Sequence, residues 1–126
     1  MILMLYIAAG GALGAVCRWG LNTGISSLLK HPYPWGTLRV NVIGSFLMGL
    51  CIAYFLKNAA LSNEFKMFLT VGFLGSFTTF STFSMDAVNL FHNDDPYGAL
   101  TYVFGSVILS VGAVMLGTFL VWKVSL

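Results

Sequence analysis

From Met67 to Met85 the chain carries no charged residue, and three other runs, at about 2–29, 36–56 and 98–122, are nearly as bare, broken only by Arg18 and Arg39. A helix crossing the hydrocarbon layer needs about 20 consecutive apolar residues. The chain therefore reads as four spans, at about 2–29, 36–56, 65–91 and 98–122. Charged residues make up 8% of the sequence, where a soluble domain carries roughly 25%. The apolar runs are continuous rather than alternating, which selects helices over a membrane barrel. The expectation is an all-α membrane protein, with residues 1–126 forming one transmembrane domain.

The same features exclude several classes of function. Short breakers separate the spans, Lys30-His31-Pro32-Tyr33-Pro34 and His92-Asn93-Asp94-Asp95-Pro96 among them. They leave no room for an extramembrane domain, so the function belongs inside the bilayer. A net charge of +2 is too small for nucleic-acid binding. His31 and His92 flank loops with no nucleophile or acid pair beside them, and no glycine-rich phosphate motif is present, so no enzyme is expected. Cys17 and Cys51 lie in apolar segments without metal-ligand spacing and read as buried thiols. The first run has neither a basic leader nor a small-residue cleavage site, so it reads as a span rather than a signal peptide.

Within the third run, Gly72 to Phe83 crowds glycines, hydroxyls and phenylalanines together. Glycine loosens a helix and exposes its backbone, and hydrocarbon cannot solvate hydroxyls. Irregular backbone at membrane depth persists only where protein buries it or where it lines a cavity. The segment therefore reads as a helix broken near its middle. Phe77, Phe80 and Phe83 recur every three residues, a steep stripe on a helix. Phenyl rings have positive edges that can face an anion; packing against neighbouring helices is the other reading of such a stripe.

Polar residues at membrane depth mark a second group. Thr37, Asn41 and Ser45 follow one another at four-residue steps along one face of the second helix. Tyr102, Ser106 and Ser110 repeat the step in the fourth, as a hydroxyl ladder. Each row suits either a polar track or a helix contact. An arginine at mid-membrane costs on the order of 3 kcal/mol, so Arg18 serves either an aqueous vestibule or a structural anchor to carbonyls. Asp86, at the end of the aromatic segment, reads as a vestibule carboxylate or as the interfacial end of its helix.

Four spans enclose little space, and small residues at Gly10 and Gly14, Gly44 and Gly49, Gly105 and Gly112 offer close helix contacts. A homodimer is expected. Lys57, Lys66 and Lys123 fall on one side of the membrane and Lys30 and Arg39 on the other. That balance gives a weak topological preference. It suits insertion in both directions with antiparallel pairing, and also a single topology set by one or two lysines.

Three motifs together resemble one known family. Gly10-Gly11-Ala12-Leu13-Gly14-Ala15-Val16-Cys17-Arg18, Gly36-Thr37-Leu38-Arg39-Val40-Asn41-Val42-Ile43-Gly44-Ser45-Phe46 and the Gly72–Phe83 stretch are similar, in order and spacing, to those of the Fluc-type (CrcB) fluoride channels. The resemblance covers essentially the whole chain. It implies an antiparallel, dual-topology homodimer in the cell inner membrane with two pores, passing fluoride out of the cytoplasm and protecting against its toxicity. It further implies a fluoride pathway of Asn41, Phe80, Ser81, Phe83, Tyr102, Ser106 and Ser110. A structural sodium ion would be held at the dimer centre by the backbone carbonyls of Gly75 and Thr78, with Arg18 as the vestibule or structural arginine. Ser76, Arg39, Asp86 and Val114 depart from the commoner pattern, and Val114 ends the hydroxyl track early. The alternative is a small dual-topology multidrug exporter. It would need a buried Glu in the first span, and the only Glu is Glu64.

Overall fold

A computed structural model describes residues 1–124. Its described residues form helices α1 (Ile2–Leu29), α2 (Trp35–Lys57), α3 (Asn63–Met67), a π-helical stretch (Phe68–Leu74), α4 (Gly75–Phe77), α5 (Phe80–His92) and α6 (Pro96–Val124). Four units are long and apolar enough to cross a membrane: α1, α2, the composite Asn63–His92 and α6. The chain is a multi-pass membrane protein with a bent third span. Most large apolar side chains of α1 and α6 point outward; Trp19, Ile108 and Met115 are well exposed, as lipid-facing residues are.

Local chemistry fixes the ends of these helices. α1 stops at Lys30, which turns left-handed (φ 43°) while its N–H donates to Ser26 C=O at 3.0 Å. Ser62 caps α3 by accepting from Phe65 N–H at 3.3 Å. At the start of α6, Asp95 Oδ1 accepts from Gly98 N–H at 2.8 Å, and Pro96 takes the first helical position, where no donor is missed.

Glycines set how the helices meet. α1 lies against the π-helical stretch and α2 against α6. A methyl group added to Gly10 would collide with Phe68 C=O and stand 2.9 Å from Phe73 N; one on Gly14 would collide with Phe73 C=O. On the second contact, Gly49 meets the Val114 backbone, and a methyl on Gly117 would come within 2.9 Å of Leu50 N. This backbone-to-backbone approach is the usual packing of membrane helices. Two expected contact glycines behave differently. Gly105 and Gly112 face open space within the chain, and Gly117 makes the α6 contact instead.

The break falls near the middle of the third span, inside Gly72–Phe83, at threonines rather than at glycines. Both Gly72 and Gly75 remain helical, one in the π-helical stretch and one opening α4. The chain becomes extended at Thr78 (ψ 156°) and Thr79 (φ −148°, ψ 122°). The three-residue phenylalanine stripe is therefore divided. Phe77 is buried and stacks with Phe73 at 6.0 Å, while Phe80 and Phe83 belong to α5.

Candidate functional site

The break is held open by α2. Asn41 Nδ2 donates to Thr79 C=O at 2.9 Å, and Thr79 N–H donates to Asn41 Oδ1 at 2.8 Å. One amide thus satisfies both backbone groups of the most extended residue. Thr79 in turn caps α5, its Oγ1 accepting from Thr82 N–H at 3.2 Å. Gly44 lets the two elements come this close, since a Cβ there would collide with Thr78 Cγ2.

These bonds release two carbonyls. In a continuous helix the Thr79 and Thr82 amides would close onto Gly75 and Thr78 C=O. Here the first donates to Asn41 and the second to the Thr79 hydroxyl. Gly75 is also exposed on the surface of the single chain. Among the described residues, no three His, Cys, Asp or Glu side chains gather to hold a metal. Hard cations take oxygen ligands, and the carbonyls of Gly75 and Thr78 are two oxygens here without their helical donors.

A cavity of about 310 Å³ opens beside the break, between α2, α5 and α6. Asn41 and Ser45 enter it from α2, Thr78 and Thr79 from the break, Phe80 and Phe83 from α5, and Ser106 and Ser110 from α6. Met48, Val107 and Val114 supply apolar wall, and no charged side chain lines it. Ser106 is 5% exposed and its Oγ has no hydrogen-bond partner in the protein. Buried hydroxyls are rarely left so. A neutral cavity with an unused donor suits a small, strongly hydrogen-bonding guest. A second cavity, lined by Ile2, Leu5, Tyr6, Ala9, Phe65 and Phe68, is almost wholly apolar.

Aromatic rings form one side of the site. Phe80 and Phe83 lie 5.4 Å apart at 46°, and Phe83 lies 5.3 Å from Tyr102. Tyr33 meets Tyr102 edge-on at 5.7 Å. Phe83 and Tyr102 are buried, whereas Phe80 is 78% exposed, so one chain leaves this rim uncovered.

Of the residues singled out from sequence, Asn41, Phe80, Phe83, Ser106, Ser110 and Thr78 converge on the cavity. Tyr102 stands one turn beyond, its hydroxyl donating to Asp86 Oδ2 at 3.2 Å. Ser81 is exposed, with its Oγ 3.4 Å from Thr79 Oγ1. Arg18 lies apart on α1, half-buried, with an unpartnered Nε. Sequence reasoning missed Thr79, the residue Asn41 grips, although a Thr directly before an apolar helical run is an N-cap signal.

Comparison with known proteins identifies the family. The family model described as CrcB-like protein, Camphor Resistance (CrcB), matches residues 5–118. A protein of Nitrobacter winogradskyi named "Fluoride-specific ion channel FluC" is 44% identical over 90% of both chains. A namesake from Dehalococcoides mccartyi is 41% identical over 93% of this chain and 90% of its own. One from Geobacter sulfurreducens is 45% identical over 86% of this chain and 88% of its own. These relatives are named as channels, a function without chemistry on the substrate. With a broken third span, an uncharged polar cavity at the break and a family match across nearly its whole length, the chain belongs to the CrcB family.

Proposed function

We propose that the protein is a fluoride-selective channel of the inner membrane that releases fluoride from the cytoplasm passively and so protects the cell from it. The observation that carries this reading is the uncharged cavity where Asn41, Ser106 and Ser110 meet, with the Ser106 hydroxyl unpartnered. Fluoride is small and tightly hydrated, and each water it loses must be replaced by a donor. Hydroxyls and the edges of Phe80 and Phe83 share that task weakly and at several points, which permits both entry and release. Asn41 reaches the cavity with both ends of its amide engaged by Thr79, which fixes its orientation there. The absence of charge in the lining fits passage better than tight capture. The multidrug-exporter alternative lacks its key residue, because Glu64 opens α3 instead of sitting in α1.

In this reading the working unit is an antiparallel homodimer with two pores. The exposed Phe80 ring and the near balance of basic residues between the two ends support it. A partner's surface would cover the open rim. Gly75 and Thr78 from both copies would hold a sodium ion through the carbonyls freed at the break. A resident cation there would supply positive charge and lock the two breaks together.

The test is flux from proteoliposomes loaded with potassium fluoride, read by a fluoride electrode after valinomycin is added. Parallel liposomes hold potassium chloride. Fast fluoride release without chloride release is expected. Verified dimers that release no fluoride would overturn the proposal.

A further inference from the structure

The α6 face that enters the cavity continues past it in steps of four: Tyr102, Ser106, Ser110, Val114 and Thr118. At 1.5 Å per residue, successive rungs stand about 6 Å apart. Hydroxyls occupy every rung but Val114. The last of them is turned away, because Thr118 Oγ1 donates to Val114 C=O at 2.9 Å and lies 3.5 Å from Gly49 C=O. A threonine that bonds its own helix in this way offers no donor to a guest. Beyond Ser110 the face therefore runs for at least about 12 Å without a free side-chain donor, twice the spacing before it. The opposing helix does not fill the gap. At this level α2 presents Met48, which lines the cavity, and Gly49, which packs on the Val114 backbone. At the end of the same helix pair stands a cation. Lys57 Nζ lies 4.3 Å from the Trp122 ring centroid and donates to Val121 C=O at 3.4 Å.

We propose that Val114, with Met48, forms an apolar collar between Ser110 and the Lys57 end, and that crossing this collar limits fluoride flux through this chain. The inference rests on the channel reading above. A fluoride leaving Ser110 towards Lys57 must shed its last donors before it meets a charge, and an apolar constriction is where a pore dewets.

Two substitutions separate polarity from size. Val114→Ala opens the collar without adding a donor. Val114→Ser is nearly the same size and restores the hydroxyl type found at Ser106 and Ser110. The Val114 backbone, which makes the contact with Gly49, is unchanged in both. In proteoliposomes with equal numbers of verified dimers, Val114→Ser should carry fluoride about threefold faster or more than both Val114→Ala and wild type. Thr118→Val should stay within about twofold of wild type, since its hydroxyl is already engaged. Equal rates for the Ser and Ala variants would overturn the proposal, as would loss of flux in Thr118→Val. Wild-type dimers passing no fluoride would instead remove the channel reading itself, a result told apart from these by the wild-type trace alone.

Discussion

Asn41 does at one position what two capping residues usually do. Its carboxamide supplies an acceptor to Thr79 N–H and a donor to Thr79 C=O, both functions being carried on one short planar amide. Asn41→Ala would leave both backbone groups of Thr79 unpaired, at a loss of about 2–3 kcal/mol. A lowered midpoint in thermal unfolding, measured by loss of the dimer peak in size-exclusion chromatography, is the expected result, together with slower flux. Asn41→Asp presents both functions only while its carboxyl is protonated; ionised, it sets an oxygen against Thr79 C=O and should behave like Ala. Phe80 is the other residue whose role is sharply testable. Phe80→Ile keeps apolar bulk and removes the ring edge, so fluoride release should drop while the dimer persists. Release at the wild-type rate would assign Phe80 to packing alone.

Among the elements, the composite third span depends on a glycine seam with α1. Gly10→Ala and Gly14→Ala would each drive a methyl into a backbone carbonyl, an overpacking that costs about 1–3 kcal/mol. Gly105→Ala and Gly112→Ala meet nothing within the chain. The first pair should lower the unfolding midpoint when each chain is compared in detergent. A measurable fall for the second pair would show those glycines in contact with another copy. Four spans and a broken third one were legible in sequence because scarcity of charge and a run of hydroxyls inside it leave few other folds. Its place near the middle of that span was legible too; which residues open was not, since glycine marks where a helix can open and not where it does. Thr78 and Thr79 open instead of Gly72 or Gly75 because Asn41, far away in sequence, bonds there. Asn41 and Ser45 of the α2 row and Ser106 and Ser110 of the α6 row line one cavity, as the helical period allows, while Thr37 and Tyr102 lie outside it. That Tyr102 would turn to Asp86, and Ser81 to Thr79, depends on side-chain angles that no spacing encodes.

At the scale of the whole molecule, one chain leaves its site half-walled. Phe80 is 78% exposed at the rim of a cavity whose other walls are α2 and α6. If two copies close it in opposite orientations, a cysteine placed at Lys123 should react with a membrane-impermeant thiol reagent from both faces of the membrane, about half from each. A Cys17→Ser, Cys51→Ser background is needed for the measurement, because both native thiols are free. Labelling from one face only would exclude the antiparallel assembly. Removing sodium by dialysis should slow flux or split the dimer, read by the electrode and by chromatography. If neither changes, Gly75 and Thr78 hold no cation that matters.

The Asn41 clasp also bears on the order in which the protein can be made. An extended Thr78–Thr79 pair in hydrocarbon, with no partner for its amide and carbonyl, would lose several kcal/mol, and a plain helix would not. The broken form of the third span is thus conditional on α2 already lying beside it. Ribosomes deliver α2 first, so the template precedes the segment it shapes. A fragment of residues 63–124 alone, inserted in a bilayer, should keep that span as one unbroken helix, and adding a separate 1–62 fragment should restore the bend.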